Sequence, residues 1–199
     1  KKLLRDGTSI TVFNRGNNYD KRIPKQIRRV IGDRSIANDI KKLTDYNYDL
    51  IYDMICFDPR DASLLLNILK PKHHIVFFSS AAVYKKVKIY PLYETSEIGE
   101  WPTFGDYGER KSHIEKIYSN YCEKHNLKLT ILRPTYLLGY DNYFDRENYF
   151  FSRIINSNPI LMPGTSDSII QLGFLGDTAE AFYRIPKIQK KQIEVVNIG

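Results

Sequence analysis

Apolar and polar positions along this chain come in blocks. Short, largely apolar runs fall at 10–13, 27–31, 50–55, 75–78 and 129–132 and read as strands. Between and after them, apolar residues return at intervals of three and four over 36–44, 61–69 and 107–125, the spacing of amphipathic helices. Ser35 is expected to cap the first helix, and Asp58-Pro59 introduces the second. In the third, Ile114, Ile117, Tyr118 and Tyr121 lie on one stripe. Buried strands alternating with helices predict an α/β fold, a doubly wound parallel sheet covered on both faces. Beyond residue 140 the pattern is mixed. A helix is expected near 147–155, a turn at Met162-Pro163-Gly164, a strand at 169–172, a helix at 177–183 and a strand at 193–198. The predicted division is a domain over 1–140 and a small lobe drawn mainly from 141–199, with some elements returning to the core.

Composition narrows the class. Hydrophobic residues at 42%, with 13% aromatic, specify a globular chain rather than a disordered one. No apolar run approaches membrane-spanning length, so no membrane partner is expected. Cys56 and Cys122 sit in apolar segments, and His73, His74, His113 and His125 have no ligand-like arrangement. No metal site and no disulfide framework are expected, and a reducing, cytoplasmic compartment is the plain reading. The net charge of +7 suits anionic ligands such as nucleotide diphosphates, or a nucleic-acid surface, and equally a well-solvated basic protein.

The chemistry concentrates between His74 and Lys111. The apolar run Ile75-Val76-Phe77-Phe78 ends in Ser79-Ser80-Ala81-Ala82-Val83-Tyr84, and Tyr107-Gly108-Glu109-Arg110-Lys111 follows 27 residues after Ser80. Tyr and Lys at i and i+4 share a helical face. An ammonium beside a phenol favours the phenolate and lowers its pKa from about 10, which suits acid–base work near neutral pH. Ser80 would hold the same substrate oxygen. Two other Tyr-x-x-x-Lys pairs occur, Tyr84/Lys88 and Tyr183/Lys187, so spacing alone does not decide. Context does: Tyr84 opens a loop-like tract, and Pro186 should end a helix inside the third pair.

These segments, with Leu132-Arg133-Pro134-Thr135-Tyr136-Leu137-Leu138-Gly139, Val12-Phe13-Asn14-Arg15-Gly16, Gly32-Asp33-Arg34, Phe174-Leu175-Gly176-Asp177-Thr178-Ala179-Glu180-Ala181-Phe182 and Val196-Asn197-Ile198-Gly199, occur in an order that resembles the extended short-chain dehydrogenase/reductases of the NAD-dependent epimerase/dehydratase type. The resemblance covers nearly the whole chain. It implies a Rossmann-like domain with a small substrate lobe, a nucleotide-sugar or related small substrate, and hydride exchange at a sugar carbon by an epimerase or ketoreductase. Tyr107, Lys111 and Ser80 would be catalytic. Ala81-Ala82 stand where the dehydratase branch typically has Asp-Glu, which disfavours water elimination. Cofactor contacts are expected from Asn14, Arg15, Asp33, Arg34, Ile55, Cys56, Phe78, Pro134 and Tyr136. Arg15 falls where many relatives carry an acid against the ribose, which favours NADP over NAD. Met54-Ile55-Cys56 replace the usual small Ala-Gly pair. Relatives also pair two helices across a two-fold axis, so a homodimer is expected. The alternative, an RNA-binding protein of this fold resembling chloroplast stem-loop-binding proteins, rests on Phe13-Asn14-Arg15-Gly16, Gly32-Asp33-Arg34 and the positive charge.

The resemblance also implies a strand and a glycine-rich phosphate loop ahead of Lys1, with that strand lying between those at 10–13 and 50–55. Without it, residues 1–199 alone are expected neither to fold stably nor to bind a dinucleotide tightly.

Overall fold

A computed structural model describes residues 2–17, 23–88, 90–100, 105–140, 142, 146–161 and 169–199. The expected turn at 162–164 lies outside the described residues. In chain order the elements are α1 (Lys2–Arg5), β1 (Thr11–Asn14), β2 (Arg28–Ile31), α2 (Ala37–Lys41), β3 (Leu50–Asp53), α3 (Pro59–Ile68), β4 (His74–Phe78), a 3₁₀ turn (Ala81–Val83), α4 (Tyr107–Lys124), β5 (Lys128–Pro134), β6 (Tyr136–Leu138), α5 (Arg146–Ile155), β7 (Leu172–Phe174), α6 (Leu175–Ile188) and β8 (Ile193–Ile198).

The main sheet is parallel, in the order β3-β4-β5-β8. Its side chains alternate as strand geometry requires. Ile75 and Phe77 of β4 pack with Ile114, Tyr118 and Cys122 of α4 and with Ala62 and Leu66 of α3. Val76 and Phe78 pack on the other face against Phe182 and Ile185 of α6. Helices therefore cover both faces, which explains the unbroken apolar character of β4. The late elements α6 and β8 belong to this body, whereas β6 and β7 form a small parallel pair of their own.

β1 and β2 form a second parallel pair that is not hydrogen-bonded to β3. The division falls between β1 and β3, where the resemblance places a central strand. A shared apolar cluster beneath holds the two sheets together: Phe13 and Val30 from the pair, Ile51 from β3, and Ile40, Leu43, Leu65 and Leu69 from the helices.

Several local expectations change. Ser35 does not cap α2; the residue before the helix is Ile36, with no side-chain cap, and the Ser35 hydroxyl donates to Asp33 instead. Asp58 does cap α3, accepting from the Arg60 N–H at 2.8 Å. The expected strand at 169–172 appears as β7, starting at Leu172. Pro186 does not end α6, which runs on to Ile188. Proline withdraws the N–H that would bond the carbonyl four residues back, and here the Tyr52 hydroxyl donates to that Phe182 carbonyl at 3.2 Å.

Candidate active site

β4 carries Ser79 and Ser80 to the carboxyl end of the main sheet. Ser79 is still held in the ladder, its N–H donating to the Leu132 carbonyl at 2.8 Å. Ser80 leaves it and caps the 3₁₀ turn, its Oγ accepting from the Ala82 N–H at 3.2 Å. The hydroxyl proton remains available for an oxygen placed above the sheet.

α4 starts directly against that turn because Gly108 permits it. A Cβ at Gly108 would stand 2.1 Å from the Ala82 carbonyl oxygen. The close approach sets Tyr107 beside the Ser80 turn. One helical turn further on, Lys111 is 1% exposed. Its Nζ donates to the Phe78 carbonyl at 2.8 Å and lies 4.6 Å from the Phe57 ring centre, 4.9 Å from Phe77 and 6.0 Å from Tyr107. Burial without a contacting carboxylate pulls its pKa down to about 8, while Cys56 and Asp53 act in the opposite direction. The sequence-predicted Ser80, Tyr107 and Lys111 thus stand on two elements in direct contact.

A buried polar network supports them from below. The Glu115 carboxylate takes a paired bond from Arg133, at 2.9 and 2.6 Å, and a 2.5 Å bond from the Ser79 hydroxyl. Arg133 also donates to the Tyr84 hydroxyl at 2.9 Å, and Tyr84 donates to Asn197 of β8 at 2.5 Å. Glu115 and Arg133 are each about 5% exposed or less. Sequence reasoning missed this network. The available signal was a carboxylate continuing the helical face that carries Tyr107 and Lys111, together with an arginine at the end of an apolar strand.

The residues expected to face a cofactor divide into two groups. Arg15 is exposed, and Asn14 turns its amide oxygen onto the Gly16 N–H at 2.9 Å. Ile55 is 51% exposed, Phe78 is half-buried, and Tyr136 stands at the carboxyl end of β5. Pro134 is buried. Asp33 is solvent-facing; bonds from the Ser35 N–H and hydroxyl hold its carboxyl below the usual range. Arg34 and Cys56 turn inward. Arg34 forms a bidentate pair with the buried Asp53, at 2.6 and 2.9 Å, and Tyr118 donates to the same carboxylate. The Asp53 pKa is lowered against the opposing effect of burial, with Arg34 the main cause. Cys56 is fully buried, and burial pushes its thiol up to about 12. The guanidinium and thiol of these two residues turn to the interior, and the bidentate pair with Asp53 commits two of the five Arg34 N–H donors.

The family model described as NAD dependent epimerase/dehydratase matches residues 1–199. The chain belongs to that family. A curated relative, the chloroplast stem-loop binding protein of 41 kDa b of Arabidopsis thaliana, is 27% identical over 99% of this chain and 53% of its own length. The chain therefore spans about half of that relative. Among solved structures, UDP-glucose 4-epimerase of Thermotoga maritima with UDP-glucose matches all of the chain and 71% of its own at a TM-score of 0.80 and 17% identity. The Thermus thermophilus UDP-glucose 4-epimerase in complex with NAD matches at 0.78 and 16%, over all of the chain and 72% of its own. These likenesses establish the α/β Rossmann-like fold.

The chemistry of the site fits the family's dinucleotide at its nicotinamide end. Lys111 carries three N–H donors and uses one on Phe78, which leaves two for a ribose diol. Exposed Met54, Ile55 and Phe57 at the end of β3 offer apolar surface for a flat ring.

Proposed function

We propose that this chain carries the catalytic body of an NAD(P)-dependent nucleotide-sugar epimerase or ketoreductase. The observation that carries the reading is the buried, carbonyl-anchored Lys111 one turn from Tyr107, on a helix pressed against the Ser80 turn. Tyr107 takes a proton from the sugar hydroxyl, or returns one. Ser80 donates a hydrogen bond that holds the same oxygen, and Lys111 stabilises the phenolate by its charge. When bound, the dinucleotide would accept and return hydride. Lys111 would hold its ribose, and Pro134, Tyr136 and Phe78 would bound its ring. Exposed Arg15 favours NADP. Ala81-Ala82 offer no second acid–base pair, which favours epimerisation or carbonyl reduction over dehydration. Two buried free thiols suit a reducing cytoplasm.

The test is conversion of UDP-hexoses, and reduction of their keto forms, with each nicotinamide cofactor. Tyr107→Phe should cut turnover about 10²–10⁴-fold with substrate affinity little changed. Near-normal turnover in that variant removes Tyr107 from the mechanism. A groove between α3 and α4, lined by Pro59, Ser63, Leu64, Asn67 and Ile117, supports an isologous homodimer. Light scattering at micromolar concentration should give twice the chain mass, and a monomer would count against it.

A second reading, RNA binding, is supported by the likeness to the stem-loop binding protein and by the +7 charge. It does not require Tyr107 or Lys111.

A further inference from the structure

The amino end of the main sheet, opposite Ser80 and Tyr107, has features that the catalytic reading leaves unused. β3, β4, β5 and β8 are parallel neighbours, so the loops leading into them converge there. The Lys128 N–H donates to the His73 carbonyl at 2.9 Å, the Leu129 N–H to Gln192 at 2.8 Å, and the Lys72 N–H to Tyr48 at 2.9 Å. Lys70 and Lys72 precede β4, Lys124 closes α4, and Lys190 and Lys191 precede β8. All five are exposed, and none makes an ion pair or a side-chain hydrogen bond among the described residues. The acidic groups at this end are Asp45, Asp49, Glu123 and the half-buried Glu194 near the start of β8, and Asp49 faces His73 at 3.9 Å.

Beside Lys70, at the β3 side of this end, is a small cavity of about 160 Å³, lined by Tyr46, Asn47, Tyr48, Ile68 and Lys70 among others. Tyr46 is 54% exposed, and the guanidinium of Arg28 covers one face of its ring, 3.7 Å from the ring centre. The Tyr48 hydroxyl and Arg28 Nη1 are buried without hydrogen-bond partners. Such orphaned polar atoms are uncommon in a protein interior; here Tyr48 lines the cavity and Arg28 stacks on Tyr46, which lines it too.

We propose that the amino end of the sheet binds an unpaired RNA segment. One base would stack on the free face of Tyr46, at the cavity, and the flanking phosphates would lie on Lys70, Lys72, Lys190 and Lys191. This rests on the RNA-binding reading and assigns it a surface. Aromatic faces accept any base, and lysines track a phosphodiester backbone as point charges. A duplex would offer no base to the cavity, so a hairpin loop or single strand is the matching form. Because the site lies at the far end of the sheet, it leaves the catalytic end free.

The experiment measures binding of a labelled RNA hairpin to the full-length protein over a salt series. With Lys70, Lys72, Lys190 and Lys191 all replaced by Ala, the plot of log K against log salt should flatten by about three, the release expected for four single-strand phosphate contacts. Tyr46→Ala should weaken binding about tenfold at unchanged slope, and Tyr46→Phe should bind as the parent does. A quadruple variant that binds like the parent overturns the proposal. If that variant is unaffected while Arg15→Ala with Lys85→Ala loses affinity, RNA binding stands and this surface falls. If the parent does not bind RNA at all, the RNA reading itself falls. Equal affinity for the DNA hairpin of the same sequence would overturn the assignment to RNA.

Discussion

The four-stranded sheet and the β1–β2 pair are held in different ways. In the former, β4 has four of its five residues buried, and β5 buries six of seven between helices on both sides. β1 and β2 have no fully buried residue. They are tied to the rest by an apolar cluster and by Arg34, which leaves the end of β2 to clasp Asp53 at the end of β3. Ser80, Tyr107 and Lys111 stand on the closely packed half, whereas Asn14, Arg15 and Asp33 stand on the other. The groups proposed for acid–base chemistry thus have the firmer support, which preorganisation of such a site would require.

One buried ion pair, Arg34–Asp53, joins the two halves and another, Glu115–Arg133, lies inside the firmer one, and breaking them gives the largest expected effects. Arg34→Ala leaves Asp53 charged and unpaired, and Glu115→Ala does the same to Arg133; each should cost about 3–5 kcal/mol in a urea melt. Hydrogen exchange should separate the two. Arg34→Ala should speed exchange in Val12, Phe13 and Val30 first, while Glu115→Ala should speed it across β4 and β5 together. Uniform loss of protection in the Arg34 variant would mean that the two sheets unfold as one unit.

The same contrast governs what could be read from the sequence. The strands of the main sheet were legible because residues buried on both faces leave continuous apolar runs, and α4 was legible from its stripe. Tyr107 and Lys111 followed from helical spacing, and Ser80 from its place at a strand tip. The buried charges were not legible, because Asp53, Glu115 and Arg133 find their partners 18 or more residues away in sequence. Arg34, expected to meet a cofactor, turns its guanidinium inward to Asp53, and nothing local in the sequence shows that it will. Pro186 misled because the hydroxyl that accommodates it comes from Tyr52, 130 residues earlier than its Phe182 acceptor. β6 was missed because three residues are too few to show a period.

The next effect in size tests whether the firm half carries a cost for its chemistry. Lys111 is buried with its pKa lowered from 10.5 to about 8. The unfolded chain therefore binds more protons between those values, and stability should rise as pH climbs from about 8 to 10.5. Below pH 8 the full penalty is present. Lys111→Met should then stabilise the protein at pH 7 by on the order of 2–3 kcal/mol, while removing turnover. The gain should vanish above about pH 10.5, where the unfolded lysine is also neutral. Thermal melts of both proteins at pH 7 and at about pH 10.5 measure it, and a variant equally destabilised at both would show that Lys111 contributes packing rather than strain.

The smallest effect concerns the looser half and is confined to one ligand. Arg15 is exposed at the end of β1, beside Asn14, whose side chain is already bonded to Gly16. β1 itself ends without a carboxylate, with Asp33 of the neighbouring strand end in electrostatic reach of Arg15, and under the proposed NADP preference Arg15 would grip a 2′-phosphate with paired, charge-assisted bonds. Arg15→Ala should weaken NADPH by roughly 1.5–3 kcal/mol and leave NADH almost untouched. Because Arg15 lies outside the main sheet and its core, the melting temperature should not move, which separates ligand recognition from folding. Titrating both cofactors against parent and variant decides it: equal losses for the two would mean that the looser half reads the adenosine by shape alone, and that Arg15 does not set the choice.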